Sequence, residues 1–83
     1  MSLVCLSDLG PGECGTVAAL HTVGPMRRRL LDLGLVKHTP LACVGENPAG
    51  DMRAYLVRGA VIALRRTDGT TILVEREAAR PWD

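Results

Sequence analysis

The sequence predicts a small, mainly β protein, with five short strands closed into a barrel and one short α-helix. Three observations carry that prediction. The stretch Pro25-Met-Arg-Arg-Arg-Leu-Leu-Asp-Leu-Gly-Leu35 is a single helix with its start and stop written in. Everything around it reads as short strands separated by glycine- and proline-rich turns. The apolar fraction is 47%, yet the 83 residues include no Phe, one Tyr and one Trp, so the core must be aliphatic. Short strands around a lone helix suit the SH3-like class of small barrels. Closure of the sheet also removes the edges that an open sheet of this size would expose.

The helix comes first because its signals are strongest. Pro25 suits the first helical position, where its missing N–H would have had no partner. Gly34 suits the left-handed position just past the end, where a Cβ would be penalised. About two and a half turns fit between them. Met26, Leu30 and Leu33 fall on one face at i, i+4 and i+7, and that face is expected to dock on the core.

The strands follow in chain order. Ser7 to Gly12 is a turn-rich lead-in, with two glycines and a proline in six residues. Cys14 to His21 reads as the first strand and Thr39 to Gly45 as the second. Glu46 to Asp51 is a loop, where proline and glycine interrupt pairing. Met52 to Arg58 is the third strand and Ala60 to Arg65 the fourth, with Gly59 between them as a tight turn. Both faces of the fourth strand are mostly apolar, as expected for a central strand covered by the helix. Thr67-Asp-Gly-Thr70 reads as a hairpin turn from its Asp-Gly step, and Thr71 to Glu75 closes the set. The chain is read as one domain over 1–83, with a core at about 6–75 and a tail at 76–83 that frays from Ala78 onward.

Composition excludes several classes of function. A net charge of +1 gives no strong electrostatic footprint for nucleic acid, although basic residues cluster at Arg27–Arg29 and Arg65–Arg66. An aromatic-poor chain also lacks the stacking platform that single-stranded nucleic acid uses. Three cysteines without C-x-x-C spacing do not form a disulfide framework, which points to a reducing cytoplasm. No apolar run reaches membrane-spanning length, so no membrane insertion is expected. Gly12, Gly15, Gly34 and Gly59 fall in no phosphate-binding pattern and read as turns, bends and a helix cap. No nucleophile, base and orienting group stand at supporting spacings, so no catalytic residues are assigned and no enzyme is expected.

Two sets of residues invite a binding reading. Cys5, Cys14, Cys43, His21 and His38 are ligand types that zinc or ferrous iron uses. No two have the spacing of a preformed site. Cys14 and Cys43 are expected to be small buried apolar residues, and Cys5 and the histidines ordinary surface groups. No metal ligands are assigned and no cofactor is required; weak adventitious Fe(II) or Zn(II) binding is compatible with this set.

The second set is the helix surface. Arginines in the first turn oppose the helix dipole, at a cost of about 0.5 kcal/mol for each exposed charge. The arginines read either as a recognition patch for an acidic partner or as a solvated face with Arg28 and Asp32 weakly paired at i, i+4. Leu31 is the sharper clue, because it lies off the Met26/Leu30/Leu33 line and beside Arg27. Arg27, Arg28, Leu31 and Arg58 are the candidate partner-interface residues. Pro25, Gly12, Gly15, Gly34 and Gly59 are assigned structural roles as turns and caps.

Read together, the residues resemble the ferrous iron transport protein A (FeoA) family. The likeness rests on Leu6-x-x-Leu9-x-x-Gly12-x-x-Gly15-x-Val17, on Arg28-Arg29-Leu30-Leu31-Asp32-Leu33-Gly34-Leu35, and on Gly50-Asp51. Val57-Arg58-Gly59, Ile62-Ala63-Leu64-Arg65 and Ile72-x-Val74 complete it. No piece is specific alone; the ordered set is, and it runs from Leu6 to about Glu75. The resemblance implies a cytoplasmic SH3-like barrel acting beside the FeoB-type ferrous iron permease and binding its cytosolic portion. It also leaves open a stand-alone metal-responsive regulatory module, like the C-terminal SH3-like domain of diphtheria-toxin-repressor-type regulators. Weak self-association fits either reading. The chain departs from the family at Lys37-His38, where Pro-Gly is common, at Met52, where Pro is frequent, and at Thr67-Asp68-Gly69. At that last place a hairpin turn is expected instead of a short helical turn.

Overall fold

A computed structural model describes residues 2–77. The elements run β1 (Ser2–Cys5), a 3₁₀ turn (Leu6–Asp8), β2 (Cys14–Leu20), α1 (Pro25–Asp32), β3 (Pro40–Glu46), β4 (Met52–Val57), β5 (Ala60–Arg65), α2 (Arg66–Gly69) and β6 (Ile72–Arg76). The strands form one antiparallel sheet in the order β1-β6-β2-β3-β4-β5. Register shifts between Val17 and Ala19 and between Cys43 and Gly45 bend β2 and β3, as bulges do when they raise the local twist. The bend curls the sheet until the segments that follow its two outer strands meet. There Gly69 of α2 lies so close to Ser7 that a Cβ would stand 3.1 Å from the Ser7 amide nitrogen.

The inner face is aliphatic apart from Tyr55 and Cys43. Val17, Leu41, Tyr55, Val57, Ile62, Leu64, Ile72 and Val74 fill it from the strands, and Leu6, Leu9, Leu30 and Leu35 close it from the connections. Tyr55 hydroxyl donates to the Leu6 carbonyl at 3.3 Å. Burial pushes its pKa up to about 12, because it strips the charged phenolate of the hydration that would stabilise it.

Five expectations need correction. There are six strands among the described residues, not five. Its partner β6 comes from the other end of the described chain, so nothing near Ser2–Cys5 announces β1. β5 is an outer strand rather than a central one. Its second face is apolar without being covered, with Val61 64% exposed. Residues 66–69 form a short helix, not a hairpin turn. Arg58 belongs to a two-residue turn with Gly59, and both have positive φ, 51° and 81°. This is the geometry whose twist matches a hairpin. Cys14 faces out, because Gly15 takes the inward place beside β6, where a Cβ would stand 2.9 Å from the Glu75 carbonyl oxygen. Arg76 ends β6, and the tail expected from Ala78 onward lies outside the described residues.

Candidate functional site

The surface of α1 is built by how that helix is anchored. Pro25 occupies its first turn after Gly24, whose φ is 73°. Leu30 is fully buried and Met26 packs against the core. At the other end the Leu35 amide donates to the Leu30 carbonyl at 3.0 Å and the Gly34 amide to the Leu31 carbonyl at 3.0 Å. Gly34 adopts a φ of 100°. This pair of bonds is the Schellman ending, which brings two apolar residues together across the turn. Here they are Leu30 and Leu35, exposed 0% and 1%. Leu33, expected on the buried face, is 38% exposed, because the chain reverses just after it and Leu35 takes the core place.

The four interface candidates separate under this geometry. Arg27 extends from the first turn to the end of β2, donating to the Leu20 carbonyl at 2.9 Å and the Thr22 carbonyl at 3.5 Å. Its charge therefore helps hold the loop into α1. Arg28 makes no ion pair within 4.0 Å among the described residues, so the weak pairing with Asp32 that one of the two readings contained is absent there. Leu31, 37% exposed, lies three residues on along the same helix face. Arg58 reaches this end of the helix from the β4–β5 turn, with its Cδ 3.1 Å from where a Gly34 Cβ would stand. Any side chain at Gly34 would displace it. The structure thus sets Leu31 one turn on from Arg28, brings Arg58 to the C-terminal end of α1 and commits Arg27 elsewhere. Leu33 and Val36, each 38% exposed, extend the apolar part of this surface, and the sequence reading missed both. Apolar residues flanking a glycine helix cap were the available signal.

Beside α1 lies an open cleft of about 360 Å³. Met26, Arg29 and Leu33 line one side, and β5 from Ile62 to Arg65 lines the other.

The metal-ligand types are not brought together. Among the described residues no three of His, Cys, Asp and Glu are grouped to hold an ion. Cys43 is buried, and desolvation pushes its thiol pKa up; the thiol donates to the Gly45 carbonyl at 3.6 Å. Cys5 is half-buried, while His21 and His38 are exposed. His38 has a further peculiarity. Its φ is 76°, in the third position of a turn closed by the Thr39 amide on the Val36 carbonyl at 3.1 Å. Positive φ at that position alone marks the turn type that favours Pro-Gly, the pair Lys37-His38 replaces. No helix among the described residues is long and apolar enough to cross a membrane.

With this geometry described, comparison with known proteins places the chain. The FeoA domain model matches residues 4–76. The chain belongs to the FeoA family. It is similar to the FeoA protein of Chlorobium tepidum, with 32% identity, a TM-score of 0.85, and 90% of this chain and 71% of that one covered. It is similar to a FeoA-like protein of Clostridium acetobutylicum at 26% identity and TM-score 0.85, over 96% and 93% of the two chains. The zinc-complexed FeoA of Stenotrophomonas maltophilia, an SH3-domain protein for which a role in activating ferrous iron transport has been suggested, matches at 25% identity and TM-score 0.77, over 87% and 89%. A manganese-dependent transcriptional repressor shares the fold at 20% identity, the chain covering 42% of it. No curated protein matches. The family is associated with ferrous iron transport, and the architecture is that of an SH3-like barrel.

Proposed function

We propose that this FeoA-family chain is a non-enzymatic, cytoplasmic accessory protein of bacterial ferrous iron uptake, binding the cytosolic portion of a FeoB-type permease and modulating it. The observation that supports this reading most is the mismatch on α1. The helix is fixed from within by Leu30 and Leu35, yet it presents Leu31, Leu33 and Arg28, which has no ion pair among the described residues, outward, with Arg58 at its end. A helix placed so firmly with apolar side chains facing water is suited to a protein partner. Iron, on this reading, is cargo of the permease, and the accessory protein needs no resident metal.

The test is a calorimetric titration into the purified GTP-binding domain and into the full-length permease, in each guanine nucleotide state, with a parallel GTPase assay. Binding weakened about tenfold by Leu31→Ala or Arg28→Glu is expected, the loss typical of one well-placed contact. No binding to either form at concentrations well above micromolar overturns the proposal. The likeness to the manganese-dependent repressor is one of fold; repeating the titration with Fe(II), Mn(II) or Zn(II) alone tests the metal-responsive alternative.

A further inference from the structure

The cleft beside α1 has a property that the helix surface lacks: one of its walls is the unpaired edge of a strand. Among the described residues β5 pairs with β4 alone. The two-residue turn Arg58–Gly59 makes Val57 and Ala60 the pair that exchanges hydrogen bonds. Exchange then alternates along the ladder, so Tyr55–Ile62 and Arg53–Leu64 are bonded pairs. Val61, Ala63 and Arg65 consequently turn their N–H groups away from β4, and Val61 and Ala63 their carbonyls as well. Among the described residues none of these groups bonds to another element.

Exposed edges are normally blunted by short length, proline, a bulge or charge, because an open edge invites pairing with another chain. The edge strand at the other side of the sheet, β1, has four residues. β5 has six, Ala-Val-Ile-Ala-Leu-Arg, without proline and with a continuous register against β4. It is regular, apolar and open, and α1 stands beside it rather than over it. The cleft between them offers apolar contacts from Met26 and Leu33. Arg29 stands on the helix side and Arg65 on the strand side, against the single carboxylate of Asp68. Arg66 follows directly at the same end.

We propose that this cleft receives an extended acidic segment of a partner protein, which pairs with β5 as a seventh strand. Main-chain bonds to Val61, Ala63 and Arg65 supply the affinity. Met26 and Leu33 take the alternate side chains that point into the cleft, and Arg29 and Arg65 select carboxylates on the segment. The proposal rests on the reading of this protein as a module for a protein partner, but its surface shares only Leu33 with the Leu31 face, and its test does not use the permease.

The probe is a fluorescein-labelled peptide of about eight residues alternating glutamate and valine, long enough to span β5. Two controls accompany it: the same peptide with alternate amides N-methylated, and its lysine–valine counterpart. Amide hydrogen exchange followed by NMR should show Val61, Ala63 and Arg65 slowed about tenfold or more by the acidic peptide, as amides gaining a strand partner are. Arg29→Glu/Arg65→Glu should weaken binding by about tenfold or more through like-charge opposition. Ala63→Pro, which removes one outward donor and leaves the bonds to β4 in place, should weaken it independently. Unchanged exchange at these three amides under about a millimolar peptide overturns the proposal. So does equal binding of the N-methylated or lysine peptide. A permease that binds through Leu31 while the cleft ignores the peptide would leave the proposed function standing and this inference rejected.

Discussion

The two α-helices among the described residues are fastened in opposite ways. α2 and the 3₁₀ turn are locked together by backbone. Gly69 abuts Ser7, and the Arg53 guanidinium donates to the carbonyls of Ser7 and of Leu9, the latter at 3.0 Å. Its Nε lies 3.5 Å from Glu46. Tyr55 adds its bond to Leu6. α1 is held by aliphatic side chains on one face and by a cap, and its outer face is left unpaired. The first arrangement satisfies polar backbone that the closure of the barrel would otherwise bury without partners. The second fixes a helix in place without consuming the groups it displays. Buried polar contacts therefore gather at the α2 junction, while α1 displays the side chains proposed for recognition.

Substitutions can break this contrast. The largest effect is expected from Arg53→Met, which keeps much of the volume but strands two carbonyls and Glu46. A loss of about 3 kcal/mol in urea unfolding is expected, at the upper end for unsatisfied buried groups. A loss below about 1 kcal/mol would show that water replaces the guanidinium and that the junction is not a stability centre.

Tyr55→Phe should cost less, about 1 kcal/mol at neutral pH for one hydrogen bond. It also tests the sign of a pH dependence. The folded pKa is about 12, raised from an ordinary 10.0. Between these values the unfolded chain releases a proton that the folded chain keeps, so alkali favours unfolding. The contribution is intact below pH 10 and is lost toward pH 12, at up to about 1.4 kcal/mol per pH unit. Denaturation midpoints across this range should fall less steeply for Tyr55→Phe. As this is the chain's single tyrosine, absorbance of tyrosinate follows it directly.

On the turn after α1, His38→Gly relieves a left-handed residue. It should stabilise by about 0.5–1 kcal/mol in thermal unfolding, less than the strain itself because glycine also loosens the unfolded chain. The smallest effects belong to the α1 surface. Leu31→Ser and Arg28→Glu should each change stability by under about 0.5 kcal/mol, and the glutamate is even favoured near the helix start. A large loss at either position would erase the distinction between the two helices.

What was legible in the sequence follows from how local each determinant is. Pro25 and Gly34 act within a few residues of themselves, so α1 and its ending could be read directly. The Arg58–Gly59 turn was visible as a tight turn, but its positive φ at an arginine was not. β1 could not be seen, since its partner lies at the far end of the described chain. β5 was misplaced because an apolar outward face reads as burial when it is in fact an open edge. Of the candidate site, exposed Leu31 and the arginine cluster were readable. The diversion of Arg27 to the Leu20 and Thr22 carbonyls needed coordinates, as did the approach of Arg58 to Gly34.

The placement of β6 between β1 and β2 has a consequence for how the chain comes into being. During synthesis β1 emerges first and finds no neighbour, because β2 does not pair with it. β2 can pair with β3, but β1 has no partner until β6, the last strand of the sheet, has been made. Pairing of such distant segments is slow to nucleate. The β3–β4–β5 meander, with its tight turns, can form early, and the barrel closes in one late step when Ile72–Arg76 arrives.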